Sequence, residues 1–368
     1  MSSRRQRHAF LIATCLIGWI LVGADAAAAR KQSAQASAQP GPTGAPPYGE
    51  RADVMRFADL MLERHPSLDA TWLRQQLRQA RYLAAATQLI MPPPPGVAKD
   101  WAAYRARFIE RERIEAGAAF WRANQAWLAQ AEERWGVPPE IVVGIVGVET
   151  FYGRVMGRFR VIDALATLSF DFPSGRSDRT PFFREQLEEL LLWCLREGRD
   201  PQGVMGSFAG AIGLPQFMPS SINSYAIDFD GDGRIELMHA EHAADVIGSV
   251  AHYLAIHGWQ RGLPTHYDTT PPQALIDRAR MLVPDILPTF SAAQFTELGA
   301  ALPAQARTHD GLLALVEVEN GVAARSYFAG SSNFYAVTRY NRSSYYALAV
   351  IELGRAVAQR VHTAAVAR

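Results

Sequence analysis

The sequence has little cysteine and no excess of charge of either sign. Its 368 residues include two cysteines, and 37 basic residues nearly balance 36 acidic ones. Cys15 lies in an N-terminal apolar segment and Cys194 stands alone, so we expect neither an internal disulfide nor a cysteine-based metal site in the mature chain. The balanced charge gives no reason to expect nucleic acid as a partner. The composition is that of a globular chain long enough for two or three packed units.

The chain also lacks a hydrophobic run that would easily span a bilayer. Its N-terminal apolar segment, residues 9–22, follows three arginines and precedes a run of alanines. This pattern predicts that residues 1–28 are a cleaved export signal. Cys15 lies in the middle of the apolar segment, so we expect no lipid anchor and a soluble periplasmic protein. Residues 29–49, rich in Ala, Gln, Ser and Pro, cannot bury enough apolar surface to fold and are predicted to be a tether.

Helical periodicity dominates the sequence from Arg51 onward. The longer predicted helices cover residues 116–135, 161–170, 181–197, 243–257 and 343–359. After Gly262, prolines interrupt the pattern, and residues 312–318, 324–328 and 334–339 read as short strands, the first two joined by a hairpin turn at Asn320-Gly321. The sequence therefore predicts a mainly α (α+β) protein.

An acidic residue ends the most apolar stretch of this helical region. Residues 141–148 are all apolar or glycine, and Glu149 follows them. Their spacing predicts a short buried helix in which Gly144 and Gly147 let another backbone or a ligand come close. An apolar setting raises the pKa of a carboxyl group, as a general acid at a glycosidic oxygen requires. The alternative is a glutamate at a helix end that reaches water or an arginine.

Two further stretches combine small, aromatic and polar residues. In residues 207–221, SFAGAIGLPQFMPSS, the small residues would let a polymer approach the backbone, Gln216 can hydrogen-bond amides or hydroxyls, and Phe217 can stack on a sugar face. The alternative is an ordinary loop between helices. Residues 334–346, FYAVTRYNRSSYY, carry tyrosines that either form a saccharide-binding wall or pack as an amphipathic surface.

An acidic loop reproduces the first eight positions of an EF-hand calcium loop. Asp228, Asp230 and Asp232 occupy positions 1, 3 and 5, and a glycine occupies position 6. Three carboxylates this close repel one another unless a hard cation lies between them, so we predict structural Ca²⁺ in preference to a solvated turn. Position 12 is His239 in place of the usual glutamate. The closing ligand must come from elsewhere, from Glu236, Glu241 or Asp245.

Six segments, in the same order, resemble the lytic murein transglycosylase B family, whose core is similar to goose-type lysozyme. They are VPPEIVVGIVGVETFYGRVMG (137–157), DALATLSFDFP (163–173), GSFAGAIGLPQFMPSS (206–221), the Asp228 loop, IGSVAHYLAIHGW (247–259) and NFYAVTRYNRSSYYALAV (333–350). The resemblance implies a lysozyme-like helical core with a helical subdomain before it and a small β subdomain after it. The implied boundaries are 50–136 for the helical subdomain, 137–262 for the catalytic core, 263–332 for the β-containing subdomain, and 333–368 for a strand and a C-terminal helix that return to the core.

The same resemblance implies the roles of individual residues. Glu149 would be the single catalytic acid/base. The glycan groove would be lined by Tyr104, Arg176, Ser207, Gln216, Phe217, Tyr253, Tyr340 and Tyr346. Calcium would be held by Asp228, Asp230, Asp232, the carbonyl of Arg234 and Asp245. This chain departs from the family pattern in a longer stretch between Asp232 and Asp245, and in Ser174-Gly175-Arg176, which leaves Arg176 or Arg179 to supply a basic residue usual at that place.

The implied activity is that of a lytic transglycosylase. It would cleave the β-1,4 bond between N-acetylmuramic acid and N-acetylglucosamine in peptidoglycan and leave 1,6-anhydromuramoyl ends, with no cofactor for the chemistry. The first alternative is a lysozyme-type hydrolase that uses water as the acceptor. The second is a non-catalytic, calcium-dependent scaffold that binds the cell wall. The expected partners are peptidoglycan glycan strands, with other cell-wall enzymes as a further class and no firm membrane anchor.

Overall fold

The computed structural model describes residues 48–92 and 99–366, so the predicted export signal and most of the predicted tether lie outside the described residues. The helices are α1 Ala52–Arg64, α2 Ala70–Gln79, α3 Ala84–Leu89, α4 Trp101–Ala106, α5 Arg111–Ala123, α6 Gln125–Trp135, α7 Pro139–Thr150, α8 Val161–Phe170, α9 Thr180–Arg196, α10 Pro219–Tyr225, α11 Ala244–Ile256, α12 Leu275–Leu282, α13 Ala292–Glu297, α14 Ala304–Arg307, α15 Ser332–Thr338 and α16 Ser344–Val366. The strands are β1 Phe159–Arg160, β2 Met205–Gly206, β3 His266–Asp268, β4 Phe290–Ser291, β5 Leu312–Asn320 and β6 Ala323–Gly330. The predicted mainly α (α+β) class is confirmed. None of these described helices combines the length and the apolar character needed to cross a bilayer.

The N-terminal helices pack through one apolar face each. Helix α1 buries Val54, Phe57 and Met61, which lie three or four residues apart. Tyr48, which the predicted boundary at residue 49 places in the tether, is only 4% exposed. Its hydroxyl donates to Asp171 at 2.7 Å at the end of α8. Residue 48 therefore belongs to the folded part of the chain, and the predicted tether boundary is wrong at that end.

The single helix predicted over residues 116–135 is two helices that meet at Asn124. The side-chain amide of Asn124 donates to the carbonyl of Phe120 at 2.9 Å, and its backbone N–H reaches the same carbonyl at 3.1 Å. Asparagine side chains compete with the backbone for hydrogen bonds, which favours helix ends over helix interiors. The apolar periodicity continues across the break, so the pattern of hydrophobic residues did not reveal it.

Helix α7 lies inside the helical core. Every residue from Ile141 to Thr150 is buried. The C-terminal helix α16 packs along α7 and also contacts α5, while α8 packs against α9 and α11 against α6. The chain therefore encloses α7 with segments from both sides of it in sequence, and the residue at its C-terminal end, Glu149, is held by elements far apart in the chain.

A second, smaller core belongs to a four-stranded antiparallel sheet with the order β3-β6-β5-β4. The predicted hairpin is present: Glu317 of β5 pairs with Tyr327 of β6, and the register shifts near the turn, where Asn320 pairs with Ala323. Phe295 and Leu313 are fully buried in this second core. The segment also contains the three short helices α12, α13 and α14, which the proline-broken pattern did not predict.

The strand predicted at residues 334–339 is wrong, because this segment forms helix α15. The hydroxyl of Ser331 accepts the backbone N–H of Asn333 at 3.1 Å and caps the helix. Phe334, Ala336 and Val337 are all fully buried, so the helix is covered on several sides. A short segment buried in this way has no polar face, and its mixture of aromatic and β-branched residues resembles that of a strand.

Candidate active site

Helix α7, which carries Glu149, ends at Thr150 in a tight left-handed turn. Phe151, Tyr152 and Gly153 have φ values of 51°, 56° and 90°, a conformation that non-glycine residues seldom adopt. The hydroxyl of Thr150 donates to the carbonyls of Val146 and Leu214, both at 3.2 Å. This turn and this hydroxyl fix the end of α7 against the loop that follows Gly213.

Glycines on both helices let α16 approach α7 closely. A Cβ atom on Gly144 would lie 2.2 Å from the carbonyl oxygen of Val350, and one on Gly354 would lie 1.9 Å from that of Glu140. Both distances are far below a van der Waals contact, so side chains at these positions would force the helices apart. The expected close backbone approach at Gly144 is therefore confirmed, and the approaching backbone is that of the C-terminal helix.

This close crossing brings Tyr346 to Glu149. The hydroxyl of Tyr346 donates to Oε1 of Glu149 at 2.6 Å, although the two residues are 197 positions apart. Glu149 is 8% exposed. Burial raises the pKa of its carboxyl group to about 7, and the hydrogen bond from Tyr346 partly opposes that rise. Within the described residues no second carboxyl group contributes to this shift. The site therefore contains a carboxyl group that can hold or release a proton near neutral pH.

Tyrosines surround this carboxyl group. The rings of Tyr340 and Tyr346 stack with centroids 6.5 Å apart and planes 15° apart. Burial and the nearby carboxylate of Glu149 raise the pKa of Tyr104, which places Tyr104 within electrostatic range of the acid. Tyr253 lies behind Tyr340, with ring centroids 4.8 Å apart, and its hydroxyl donates to the carbonyl of Arg339 at 2.7 Å. Tyr104, Tyr340 and Tyr346 are thus gathered around Glu149, whereas Tyr253 supports Tyr340.

The loop over residues 207–218 is built mainly by its own hydrogen bonds. The hydroxyl of Ser207 accepts the backbone N–H of Ala211 at 3.0 Å. Gln216 has φ 49°, and its side-chain N–H group donates to the carbonyls of Gly213 at 2.8 Å and Met156 at 3.2 Å. These contacts hold the loop in a fixed shape against the turn that follows Glu149.

Phe217 does not present a face to a sugar. It is 2% exposed, and its ring packs against both Tyr253 and Tyr340, each with a centroid distance of 5.7 Å. The interpretation of Phe217 as a stacking platform is therefore wrong, because its faces are used within the core. Its position fixes the tyrosines that surround the acid.

Arg176 lies apart from this cluster. Its guanidinium donates to the carbonyl of Ile90 at the end of the N-terminal helices. None of its described contacts is with Glu149 or with the tyrosines around it. The structure therefore does not bring Arg176 to the acid, and Arg179 likewise packs its guanidinium over the ring of Phe182, at 4.6 Å.

Arg113 is a contributor to the site that the sequence did not reveal. It donates to the carbonyl of Gly147 at 2.7 Å and packs over the ring of Phe151 at 4.3 Å, so it holds both the last turn of α7 and the residue that ends it. Burial lowers its pKa. The sequence around it, RERIEAG, resembles any charged helix surface, and only the tertiary fold places it beneath the acid.

Three of the four aspartates implied as calcium ligands lie close enough together to form a cation site. Carboxylate oxygens of Asp228, Asp230 and Asp232 all lie within 4.8 Å of one another and are exposed. The backbone N–H of Arg234 donates to Asp232 at 2.8 Å and keeps the loop closed. Hard oxygen donors in this arrangement fit Ca²⁺.

Asp245 is outside the group of three carboxylates that lie close together. It is 3% exposed, and its two oxygens accept the backbone N–H groups of Phe229 at 2.6 Å and Glu236 at 2.8 Å. The carboxylate of Asp245 therefore orients the acidic loop from the protein interior, and its implied role as a calcium ligand stays a prediction. Glu236 itself accepts the backbone N–H of Met238 at 2.6 Å.

Known proteins are similar to this chain in sequence and in fold. A family model described as transglycosylase SLT domain matches residues 50–355. The membrane-bound lytic murein transglycosylase B of Escherichia coli (strain K12) is 39% identical over 319 residues, which are 84% of this chain and 84% of that protein. The structure is also similar to that of the E. coli lytic transglycosylase Slt35 in complex with bulgecin A, with a TM-score of 0.74 and 38% identity over 89% of this chain and 98% of that chain. A second Slt35 structure, in complex with calcium, gives a TM-score of 0.73 and 37% identity over 89% of this chain and 97% of that one. Because the family match spans most of the sequence, this chain belongs to the transglycosylase SLT domain family.

Proposed function

We propose that this protein is a lytic transglycosylase that cleaves the β-1,4 bond between N-acetylmuramic acid and N-acetylglucosamine in peptidoglycan. The observation that carries the proposal is the buried carboxyl group of Glu149, whose pKa is about 7 and whose Oε1 accepts the hydroxyl of Tyr346. A carboxyl group with this pKa is protonated in part of the molecules at neutral pH and can act as a general acid.

Glu149 performs both proton transfers of the proposed reaction. Its Oε1 is occupied by the hydrogen bond from Tyr346, so the proton for the leaving oxygen of N-acetylglucosamine is delivered from Oε2. As the glycosidic bond breaks, the N-acetyl oxygen of the muramyl sugar bonds to the anomeric carbon. The carboxylate of Glu149 then takes the proton of the C6 hydroxyl, whose oxygen displaces the N-acetyl oxygen and closes the 1,6-anhydro ring. Glu149 ends protonated, and no water is consumed.

The surroundings of Glu149 support this use of one carboxyl group. Most glycosidases need a second carboxylate as a nucleophile or as a base for water. No carboxyl group among the described residues perturbs the pKa of Glu149, and the substrate's own N-acetyl group can take the place of the nucleophile through an internal attack of high effective concentration. Tyr346 stabilises the carboxylate formed after the first proton transfer, which prepares Glu149 for its second role as a base.

The mass of the products tests the proposal against hydrolysis. The protein, incubated with purified sacculi, is expected to release muropeptides that are lighter by one water than lysozyme products and that have no reducing end on the muramyl sugar. Products of full hydrolytic mass would establish the lysozyme-type alternative. Binding without any product would establish the non-catalytic scaffold, whose glycan binding would survive loss of Glu149.

We also propose that Ca²⁺ binds between Asp228, Asp230 and Asp232 and stabilises the fold without taking part in the chemistry. Asp245 would support the loop from the protein interior, because its carboxylate accepts the backbone N–H groups of Phe229, inside the loop, and Glu236, after it. The related Slt35 structure in complex with calcium supports a cation in this family. In the proposed mechanism Glu149 makes both proton transfers, so no chemical step requires the ion.

Calcium is therefore expected to raise the melting temperature. A ligand at a hundredfold excess over its Kd adds roughly 2.7 kcal/mol to the free energy of unfolding. Thermal melts with Ca²⁺ and with a chelator should differ for the wild type, and Asp230→Ala should reduce the difference. Glu297→Ala, which removes an exposed carboxylate on α13, is the matched control and should keep the full response. Coincident wild-type curves would show that the loop binds no Ca²⁺.

We further propose that the protein acts in the periplasm without a lipid anchor. The motivation is the short apolar segment at residues 9–22 with Cys15 in its middle, in a part of the chain outside the described residues. The intact mass of the exported protein tests this: a diacylglyceryl adduct on Cys15, or retention of residues 1–25, would contradict it.

A further inference from the structure

Two arginines pack on the residue that follows the last residue of α7. The guanidinium of Arg113 lies 4.3 Å from the centroid of the Phe151 ring, and that of Arg154 lies 4.7 Å from it. An aromatic face attracts a cation, so both contacts hold the ring in place. Phe151 has φ 51°, a strained conformation for a residue with a side chain, and such a conformation persists only where the surrounding structure fixes it.

Arg113 also bonds to the backbone of α7. Its Nη1 donates to the carbonyl of Gly147 at 2.7 Å, and the backbone N–H of Phe151 donates to the same carbonyl at 3.1 Å. Gly147 lies two residues before Glu149, and Phe151 lies two residues after it. Arg113 therefore contacts the chain on both sides of Glu149. We call this arrangement of the Arg113 guanidinium, the Gly147 carbonyl and the Phe151 ring the Arg113 clamp.

The two arginines differ in burial. The side chain of Arg113 is 14% exposed, whereas that of Arg154 is 52% exposed and pairs at 2.7 Å with Glu112, which is exposed as well. Ion pairs on the surface contribute little to stability and hold their side chains weakly. Arg113 is therefore the arginine that fixes the end of α7 from the protein interior.

Stability alone does not explain a guanidinium at this place. Nε of Arg113 and the hydroxyl of Tyr152 are buried, and no described residue forms a hydrogen bond with either atom. The ion pair of Arg113 with Glu110 is long, with 3.8 Å between Nε and Oε1. A buried charge with unpaired donors is costly, and an apolar side chain of similar volume often stabilises a protein as well. The position of the groups that Arg113 holds is a better reason for its presence.

Arg113 acts on Glu149 through geometry and not through its charge. Burial and the hydrogen bond from Tyr346 set the pKa of Glu149, and Arg113 is not among the described groups that shift it. Tyr104 on α4 and Tyr346 on α16 are the titratable groups that interact electrostatically with this carboxyl group. Loss of the clamp would therefore change where the carboxyl group lies and how well it is shielded from water.

We propose that Arg113 is a positioning residue for the reaction, because its guanidinium holds Gly147 and Phe151 and thereby fixes the carboxyl group of Glu149 where it transfers protons. The proposal rests on the proposed function, since it assigns a further residue to the same site. It separates catalysis from stability, because the clamp contributes more to the placement of the acid than to the folding of the chain.

The first test is the turnover of two variants that each remove half of the clamp. Arg113→Met keeps an unbranched side chain beside Phe151 but has no donor for Gly147, and Phe151→Leu removes the aromatic face. Either variant is expected to lower kcat on purified sacculi by about tenfold to 10²-fold with little change in KM, since a misplacement of about 1 Å can cost 10²-fold. Arg134→Met is the matched control. It removes an exposed arginine whose guanidinium lies over Trp135 at 4.7 Å on α6, and it should keep the kcat of the wild type.

The second test asks whether Arg113 acts through Glu149. In the Glu149→Gln background there is no proton to position, so adding Arg113→Met should leave the residual rate unchanged. The double variant of Arg113→Met and Phe151→Leu should be no slower than the slower single variant, because both changes disable one clamp. A further fall by the full factor of the single variant, in either combination, would overturn the proposal.

The pH profile of kcat supplies a readout that a loss of folded protein would not move. The alkaline limb of the profile follows the ionisation of Glu149, whose pKa is about 7. In Arg113→Met a loosened helix end admits water to the carboxyl group, so the limb should shift to lower pH. A lower kcat with the limb in its wild-type place would contradict the clamp.

The outcomes also separate this proposal from the proposed function. If the wild type converts no sacculi, the proposed function fails. If the wild type is active, Glu149→Gln is slow, and both Arg113→Met and Phe151→Leu keep the kcat of the wild type, the clamp fails while the function stands. Melting temperatures show which variants are folded, and if one of the two does not fold, the other decides the test.

Discussion

Replacing Glu149 with glutamine is expected to lower turnover of peptidoglycan by at least about 10²-fold and by up to about 10⁴-fold, the range typical of general acid–base catalysis. The amide keeps the shape of the side chain and can still accept the hydroxyl of Tyr346, but it has no proton to give. Because Glu149 serves both proton transfers in the proposed mechanism, neither half of the reaction would retain its catalyst. Initial rates of muropeptide release from sacculi measure the effect.

Glu140→Gln is the matched control, since it makes the same change in the first turn of the same helix. It should keep turnover close to that of the wild type, because the side chain of Glu140 lies at the opposite end of α7 from the reacting group. Near-normal turnover in Glu149→Gln would show that Glu149 is not the acid of the reaction.

The same variant should also change the pH dependence of stability. The pKa of Glu149 rises from 4.5 to about 7 on folding, so the native state binds more protons than the unfolded state between these values. The stabilising effect is complete below pH 4.5 and is lost as pH rises through 7. Glutamine cannot ionise, so the stability of Glu149→Gln relative to the wild type should increase by about 3 kcal/mol from pH 4.5 to pH 8, at 1.36 kcal/mol per pKa unit. A stability difference that does not vary with pH would contradict the buried acid.

Gly354→Ala is expected to destabilise the protein by about 3 kcal/mol or more, the upper end of the cost of overpacking a core. The new methyl group would lie 1.9 Å from the carbonyl oxygen of Glu140, and a backbone atom cannot rotate away as a side chain can. Helix α16 must therefore move away from α7. Chemical denaturation measures the loss of stability, and turnover should fall with it as Tyr346 leaves Glu149.

The control for this substitution is Gly203→Ala. Nothing lies within 4 Å of the position where its Cβ would be, and its φ is not in the left-handed region, so the exchange should change the free energy of unfolding little. Gly144→Ala should repeat the effect of Gly354→Ala from the other helix, since its methyl group would lie 2.2 Å from the carbonyl of Val350. Unchanged denaturation midpoints for both variants would mean that the helices do not cross this closely.

The buried helix that ends near Glu149 could be predicted because its signal is local, whereas the role of Glu149 as the acid was implied by the family resemblance. A glutamate that follows eight apolar or glycine residues is chemically unusual. The two glycines predicted that another backbone or a ligand comes close to this helix. Which helix approaches could not be predicted, since the contact of Gly144 with Val350 joins segments some two hundred residues apart. Arg113 was missed for the same reason, because its contact with Gly147 depends on the tertiary fold.

The wrong predictions concern segments whose local sequence pattern is compatible with more than one structure. From the sequence, Phe217 could either stack on a sugar or pack in the core. Only its ring contacts with Tyr253 and Tyr340 show that it packs in the core. Residues 334–339 are buried on several sides, which removes the alternation that separates helix from strand.

The distance in sequence between Glu149 and its hydrogen-bond partner has a consequence for when the enzyme becomes active. A chain that has been made only as far as the sheet contains the acid but neither Tyr346 nor the helix that seats against Gly144 and Gly147. Without α16, the glutamate would face water and its pKa would return toward the ordinary value, so it would lose its proton well below neutral pH. We therefore expect incomplete chains, and fragments cleaved before residue 346, to lack activity on peptidoglycan until the last helix docks.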